Sequence, residues 1–184
     1  MYIMCGSIKI IIGSMFSGKS TEIIRLINRY KTLKKNILAI NHSSDIRYGE
    51  NKIISHNKES HDCLSVTQLK PLLQDTRFNE CDVIFIEEAQ FFSDLFDFVT
   101  QSADFHNKIV VVAGLDGTYK REPFGDVLRL IPHAESVIKL HALCLKCNDG
   151  TTASFTKRII NDESDILVGS TESYIAVCRK HYLE

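Results

Sequence analysis

The sequence predicts an α/β fold in which helices flank a parallel sheet, with a small metal-binding region at the C-terminus. Three observations lead to this prediction. Continuous apolar runs of strand length alternate with helical patterns, which is typical of a parallel sheet covered on both faces. A glycine-rich loop joins the first apolar run to the first helix. Cysteine and histidine residues near the C-terminus follow the spacing of a zinc site.

The predicted elements follow the chain as alternating strands and helices. The predicted strands are 8–12, 37–40, 83–86, 109–113 and 136–140. The predicted helices are 21–35, 66–74 and 94–105, and Thr67 is expected to cap the second of them. The polar stretch 41–61 has no clear period, so the sequence predicts no element there. The order of the strands within the sheet is not predicted.

Composition favours a compact cytosolic protein. The 184 residues suffice for one domain with, at most, a small appendage. With 22 basic and 23 acidic side chains the net charge is −1, which gives no global electrostatic reason to expect nucleic acid or a membrane surface as a partner. No apolar run approaches the ~20 residues of a membrane span, and the N-terminus lacks the pattern of a signal peptide. We therefore expect a cytoplasmic location.

The segment 13–20, with the sequence GSMFSGKS, is a complete phosphate-binding loop between the first predicted strand and helix. Its glycines allow a tight turn whose backbone N–H groups converge on phosphate oxygens. Lys19 would reach the β- and γ-phosphates of a nucleotide, and the Ser20 hydroxyl would bind Mg²⁺. The competing interpretation is a glycine-rich turn that binds nothing. The predicted nucleotide-binding residues of this loop are Gly13, Ser14, Met15, Phe16, Ser17, Gly18, Lys19, Ser20 and Thr21.

Glu87 and Glu88 directly follow the apolar strand 83–86. Open parallel sheets bind ligands beyond the carboxyl ends of their strands, so these carboxylates should face the phosphate loop. One could support Mg²⁺ while the other accepts a proton from an attacking nucleophile. The pair alone could also be a charged turn. Beside the phosphate loop, a magnesium site at Ser20 and Glu87 becomes the preferred hypothesis.

Cys144 and Cys147 form one closely spaced pair of metal ligands, and Cys178 and His181 form another. Two such turns complete a tetrahedron around Zn²⁺ with no open position, which indicates a structural metal. The other cysteines are scattered singly, and a reducing compartment disfavours disulfides. Reduced thiols buried as small apolar side chains are the alternative. The metal would stabilise a C-terminal region too small for a core of its own.

Taken in order, these motifs resemble those of type II thymidine kinases, the cellular and poxviral class with a P-loop domain and a zinc-bearing lasso. The resemblance rests on GSMFSGKS, on EEAQFF at 87–92, on GLDGTY at 114–119 and on the paired zinc ligands. Further matches are DIRY at 45–48, KREPFG at 120–125, FTKR at 155–158 and the stretch 168–174. The similarity extends from Ser7 to Tyr182, and the ordered set is more specific than any single motif.

The resemblance implies a P-loop kinase-like parallel sheet in residues 1–140 and a small zinc-binding lasso domain in residues 141–184. It implies thymidine and ATP as substrates, Mg²⁺ as the catalytic ion and Zn²⁺ as the structural ion. The γ-phosphate of MgATP would pass to the 5′-hydroxyl of thymidine and give thymidine monophosphate, as in nucleoside salvage for DNA synthesis. A homotetramer and feedback inhibition by thymidine triphosphate are expected on the same ground.

The family's functional residues can be carried over to matching positions. Glu88 stands where the family has its general base, and Arg47 matches an arginine near the reacting groups. Asp45 matches a residue near the deoxyribose. The lasso, about 153–174, would bind the thymine edge largely through backbone groups. The implied substrate contacts are Met15, Asp45, Arg47, Gln90, Phe91, Leu115, Tyr119, Phe124, Thr156, Val168, Gly169, Ser170 and Tyr174.

Four departures from the family pattern bear on these assignments. Glu87 stands where Asp is usual, which lengthens the reach to Mg²⁺ by one methylene. Ala89 replaces a common glycine, and His181 replaces a cysteine in a set that still suits zinc. The segment between Cys147 and Phe155 is longer than usual by about two residues, which shifts the start of the lasso by that amount.

Two other functions fit parts of the sequence. A related kinase could phosphorylate deoxyuridine, another nucleoside or a nucleoside monophosphate, and the last needs additional arginines such as Arg121, Arg129 and Arg158. A zinc ribbon that binds nucleic acid is the non-enzymatic alternative, although acidic residues interrupt the basic tail and no aromatic series accompanies it. The remaining histidines, His42 among them, have no ligand spacing and are expected at the surface or in loops.

Overall fold

A computed structural model describes residues 5–45, 51–55, 58–161 and 172–184 of the chain. The strands are β1 (Ser7–Gly13), β2 (Ile37–His42), β3 (Lys52–Ile54), β4 (Ser60–Asp62), β5 (Leu64–Val66), β6 (Val83–Ile86), β7 (Ile109–Gly114), β8 (Ser136–Leu140), β9 (Ala142–Leu143), β10 (Thr152–Ala153), β11 (Phe155–Arg158) and β12 (Tyr174–Val177). The α-helices are α1 (Lys19–Thr32), α2 (Thr76–Glu80), α3 (Leu95–Asp104) and α4 (Arg179–Leu183). Short 3-10 helices cover Lys70–Gln74, Ala89–Phe91 and Val127–His133.

A six-stranded parallel sheet forms the centre of the fold, in the order β5–β2–β6–β7–β1–β8. β1 lies between β7 and β8, with Ile10 opposite Val112 on one side and Val137 on the other. The α/β prediction is confirmed, and each predicted strand belongs to this sheet. Because the strands are parallel, the segments that follow β1, β6 and β7 leave the same edge of the sheet.

Packing on both faces of the sheet explains the continuous apolar runs. On β1, Ile10 and Ile12 pack into one buried cluster together with Phe98 of α3. Ile11 packs into a second cluster together with Ile23 of α1. Successive side chains of a strand point to opposite faces, so a strand covered on both sides is apolar at nearly every position, and in β1 the half-buried Lys9 interrupts the isoleucines.

The predicted helix 66–74 is wrong. Its first part ends β5, and only its second part is helical, as the short 3-10 helix. The Asp94 carboxylate accepts hydrogen bonds from the backbone N–H groups of Leu69 and Lys70, both at 2.8 Å. A side chain distant in sequence thus takes the capping role predicted for Thr67.

The polar stretch 41–61 contains elements that the sequence does not predict. β3 and β4 form a short antiparallel pair there, and β2 extends to His42. Ile53 of β3 is 2% exposed and packs with the residues of α1. Of the described residues in this strand pair, Ile53 alone anchors it in the buried cluster. A single apolar residue gives no periodic pattern from which the strands could be predicted.

The C-terminal region consists of two antiparallel pairs, β9–β10 and β11–β12, followed by α4. Its own buried cluster is made of Ala142, Cys144, Ala153, Ala176 and Val177. These side chains are small, so the region gains little free energy from apolar burial. The domain boundary between residues 140 and 141 stays a prediction. Within the ranges described, no helix combines the length and apolar character that crossing a membrane requires.

Candidate active site

The phosphate loop makes a tight turn between β1 and α1. Gly18 has a φ of 86°, in the left-handed region, directly before Lys19 begins α1. A side chain at Gly13 would collide with the backbone carbonyl oxygen of Leu140. The Ser17 hydroxyl is buried and has no hydrogen-bond partner among the described residues. A buried hydroxyl in a loop of this shape suits a phosphate oxygen.

The Lys19 ammonium lies over the loop. Its Nζ donates hydrogen bonds to the carbonyl oxygens of Ser14 at 2.8 Å and of Gly13 at 3.3 Å. These carbonyls hold the cation beside the loop, where the phosphates of a nucleotide would compete for it.

The phosphate loop also contacts the C-terminal region, a link that the sequence does not reveal. The Ser14 hydroxyl donates to the carbonyl oxygen of Ala153 at 3.3 Å. The backbone N–H of Met15 donates to Thr156 Oγ1 at 3.0 Å. Phe16 packs against the small C-terminal cluster. The conformation of the loop therefore depends on β10 and β11 as well as on β1 and α1.

Ser20 and Glu87 meet beyond the carboxyl ends of β1 and β6. The Ser20 hydroxyl donates to Glu87 Oε1 at 2.6 Å, and Glu87 is 4% exposed. The additional methylene relative to Asp therefore leaves the carboxylate within reach of Ser20. A hydroxyl and a buried carboxylate side by side are the hard oxygen ligands that suit Mg²⁺, so these two residues fit the predicted ion.

Glu88 follows in an uncommon backbone conformation, with φ 51° and ψ 39°. A side-chain-bearing residue in the left-handed region costs free energy, and such residues cluster at functional sites. Gln90, which is 3% exposed, donates from Nε2 to Glu88 Oε2 at 2.5 Å and accepts the backbone N–H of Leu115 at 3.0 Å. Three of the predicted site residues, from the ends of β6 and β7, are thereby joined in one network.

The predicted nucleoside contacts form two further groups besides the Met15–Thr156 pair. The rings of Phe91 and Phe124 pack edge to face, with centroids 5.5 Å apart. The Arg158 guanidinium lies 3.8 Å from the Tyr119 ring centroid and donates to the Tyr174 hydroxyl at 2.7 Å. Arg158 thus joins Tyr119, which follows β7, to Tyr174 of β12.

Asp45 lies just beyond β2, where Asn41 Nδ2 donates to its Oδ2 at 3.3 Å. The remaining predicted contacts lie outside the described residues. They are Arg47, Val168, Gly169 and Ser170. Their predicted roles stay predictions.

The expectation of a surface or loop position is wrong for His42. It ends β2, is 8% exposed, and packs against Phe92 and Phe91 with ring centroids 4.7 and 5.5 Å away. Burial lowers the pKa of His42, so the neutral ring is favoured, and its Nδ1 accepts the backbone N–H of Ser44 at 3.1 Å. The strand continues two residues beyond its predicted end at residue 40, which the apolar pattern does not show.

Replacing His42 with Phe should reduce the loss of stability in mild acid. The folded pKa lies below the unfolded value of about 6.5, so the folded state binds the proton less well. The stabilising contribution of neutral His42 is therefore complete above about pH 6.5 and is lost as the pH falls through the lowered pKa. Thermal unfolding midpoints at several pH values measure this, with exposed His106→Phe as the matched control. If the unfolding midpoints of the His42 variant and of wild type depend on pH in the same way, this prediction is contradicted.

The predicted zinc ligands come together in one cluster. Their ligand atoms all lie within 4.8 Å of one another. A tetrahedral ion with Zn–S near 2.3 Å and Zn–N near 2.05 Å requires S–S edges of about 3.8 Å and S–N edges of about 3.5 Å. Cys147 Sγ lies 3.7 Å from Cys178 Sγ, and His181 Nδ1 lies 3.5, 3.3 and 3.5 Å from the Sγ atoms of Cys144, Cys147 and Cys178. The Cys₃His set therefore fits Zn²⁺.

The groups around the cluster act differently on its thiols. Burial opposes ionisation of the Cys144 thiol, but backbone N–H donors, led by that of Cys178, lower its pKa to about 6. Burial and hydrogen bonds with the neighbouring thiols of Cys144 and Cys178 raise the pKa of Cys147 to about 11. His181 Nε2 points away from the cluster, with Glu184 Oε2 3.8 Å distant. A carboxylate near the second ring nitrogen is a common way to orient a ligand histidine.

A series of arginines and aromatic rings joins the zinc cluster to the segment after β7. The Tyr182 hydroxyl donates to the backbone carbonyl of Tyr119 at 2.7 Å. The Arg121 guanidinium lies 4.5 Å from the centroid of the Tyr182 ring. The Arg179 guanidinium lies 4.8 Å from the centroid of the Phe155 ring. Sequence reasoning missed these contacts because they connect positions far apart in the chain.

Comparisons with known proteins place these features in a family context. A sequence model described as thymidine kinase matches residues 6–182. The chain is 42% identical over 179 residues to the thymidine kinase of vaccinia virus (strain Western Reserve), with 97% of this chain and 98% of the viral one covered. Identity to the Yaba monkey tumor virus thymidine kinase is 43% over 179 residues, covering 97% and 96%. Identity to a thymidine kinase of Oryza sativa subsp. japonica is 42% over 183 residues, covering 97% and 67%.

Proposed function

Because the chain belongs to the thymidine kinase family, we propose that it transfers the γ-phosphate of MgATP to the 5′-hydroxyl of thymidine. The products are ADP and thymidine monophosphate. The observation that supports this best is the meeting of the phosphate loop with the carboxylate pair, in which Ser20 Oγ lies 2.6 Å from Glu87 Oε1 and Glu88 follows. A phosphate-binding loop and a proton acceptor thereby lie at one edge of the sheet.

The phosphates of ATP bind the backbone N–H groups of residues 13–20. The Lys19 ammonium then donates hydrogen bonds to phosphate oxygens instead of to the loop carbonyls. The Ser17 hydroxyl donates a hydrogen bond to a phosphate oxygen. Ser20 and Glu87 would hold Mg²⁺, which would supply positive charge to neutralise the phosphates.

Glu88 accepts the proton of the thymidine 5′-hydroxyl as that oxygen attacks. The bond from O5′ to the γ-phosphorus forms while the bond from that phosphorus to the β,γ-bridging oxygen breaks, and ADP leaves. Such a transfer depends on positioning and charge more than on covalent chemistry. Arg47 stabilises the phosphoryl oxygens and Asp45 contacts the deoxyribose, by analogy with the family positions that they match.

Thymidine lies between the segments that follow β6 and β7 and the lasso of the C-terminal region. Its pocket walls on this proposal are Met15, Gln90, Phe91, Leu115, Tyr119, Phe124, Thr156 and Tyr174, with Val168, Gly169 and Ser170 from the lasso. Zn²⁺ on the Cys₃His cluster cross-links that region. On the family resemblance alone, we also propose that the protein is a cytoplasmic homotetramer and that thymidine triphosphate inhibits it.

A nucleoside monophosphate is less well supported as the acceptor. It would need additional cations for a second phosphate, and the available arginines are engaged with other groups. Arg129 pairs with Asp126 at 3.0 Å. Arg121 lies over the Tyr182 ring, and Arg158 is held by the tyrosines described above.

Product analysis with thymidine and 5′-deoxythymidine tests the proposed reaction. With MgATP, thymidine should yield ADP and thymidine 5′-monophosphate in equal amounts, whereas 5′-deoxythymidine, which lacks the nucleophile, should yield neither. ADP formed without thymidylate, or a phosphate found on the 3′-oxygen, would contradict the proposed chemistry.

A further inference from the structure

The Gln90 side chain contacts the Glu88 carboxylate directly. It is almost wholly buried, at 3% exposed, and both ends of its amide are engaged. Nε2 lies 2.5 Å from Glu88 Oε2, and Oε1 lies 3.0 Å from the backbone N of Leu115. An amide in this position bridges the segment after β6 to the segment after β7.

The orientation of this amide follows from its partners. The backbone N–H of Leu115 can only donate, so the amide atom facing it has to be the carbonyl oxygen. The NH₂ group therefore faces Glu88 and donates to the carboxylate. A donor fixed at that oxygen restricts the direction in which the carboxylate can point.

The surrounding backbone leaves the amide little freedom. A Cβ built on Gly114 would lie 2.8 Å from Gln90 Oε1, so a side chain at residue 114 would displace the amide. Gly125, with a φ of 58°, allows the chain to approach the Gln90 backbone carbonyl too closely for any side chain at that position. Gly114 at the end of β7 and Gly125 further along the chain thus enclose Gln90 and restrict the position from which it donates.

We propose that Gln90 is a positioning residue that aligns the Glu88 carboxylate for proton transfer, rather than primarily a nucleoside contact. This inference rests on the proposed role of Glu88 as the base. The amide restrains the direction of the carboxylate, because its donor contacts Oε2 and its other end is anchored on Leu115.

Gln90→Met tests this role, because Met has a similar volume and neither donor nor acceptor. We expect kcat to fall by about 10–100-fold with KM for MgATP within about twofold of wild type, since misplacement of a reacting group affects the chemical step. A residue that only supports the fold would lower stability without lowering kcat at an unchanged KM.

A double-mutant cycle with Glu88→Gln distinguishes action through Glu88 from action elsewhere. In the Glu88→Gln background, Gln90→Met should change the residual kcat by less than about threefold. If the loss of kcat in the double variant equals the product of the losses in the two single variants, the proposal is overturned. Full turnover by Glu88→Gln would reject the base and this role with it, whereas an inactive Glu88→Gln beside a normal Gln90→Met would reject the role of Gln90 alone.

Gly114→Ala approaches the same amide from the other side and retains every hydrogen-bonding group. It should reproduce the fall in kcat, because its methyl group displaces the Gln90 amide. Thermal unfolding and binding of a nonhydrolysable ATP analogue identify the variants that are folded. A wild-type kcat in either folded variant would overturn the proposal.

Discussion

Replacing Glu88 with Gln is expected to lower kcat by about 10²–10⁴-fold, the usual contribution of a positioned general base. Gln preserves the size of the side chain but cannot accept the proton of the 5′-hydroxyl. The phosphate loop and the Ser20–Glu87 contact are untouched, so the affinity for MgATP should stay within about twofold of wild type. Steady-state kinetics give kcat, and titration with a nonhydrolysable ATP analogue gives the affinity.

Glu80→Gln is the matched control for this substitution, because Glu80 is an exposed carboxylate at the end of α2. It should leave kcat unchanged. A Glu88→Gln protein with wild-type turnover would remove Glu88 from the base role. A variant that loses ATP binding as well as turnover would show that Glu88 supports the nucleotide site instead.

Removing one zinc ligand by Cys147→Ser should abolish metal binding and lower kcat/KM by at least about 10²-fold. Structural zinc contributes about 10–16 kcal/mol of apparent binding free energy in zinc-finger peptides, and the small side chains of the C-terminal cluster cannot replace it. Loss of that region also removes the Thr156 acceptor for the Met15 N–H and the Tyr182 contact to Tyr119. The measurements are zinc content per chain, thermal unfolding and kinetics.

Cys5→Ser is the matched control, because Cys5 is exposed and lies outside the metal cluster. It should retain zinc, stability and activity. A Cys147→Ser protein that lacks zinc and yet keeps full activity would show that the cluster does not support the active site. If Cys147→Ser lowers stability but leaves KM for both substrates unchanged, zinc stabilises the C-terminal region without being needed for its contacts with the phosphate loop.

The sequence predicted the sheet and the chemical groups because both depend on local patterns. The run 8–12 is apolar except for Lys9, and the sheet does bury its isoleucines on both faces. The spacing of Cys144 and Cys147 and that of Cys178 and His181 each place two ligands on one turn, so the cluster could be predicted without knowing how the turns meet.

Features that depend on contacts distant in sequence could not be predicted in this way. The helical pattern of 66–74 did not show that Asp94 would cap the chain further along. His42 resembled a loop residue because its burial depends on Phe92, which lies on a different segment. The amide of Gln90 is informative only once Leu115 is known to face it.

The most direct test of the central claim is the transfer of labelled phosphate from MgATP to a panel of acceptors. The panel consists of thymidine, deoxyuridine, deoxycytidine, deoxyadenosine and thymidine monophosphate. We predict that thymidine is the strongly preferred acceptor. Preference for the monophosphate, or no transfer to any of the five by a protein that still binds ATP, would contradict the assignment of this chain as a thymidine kinase.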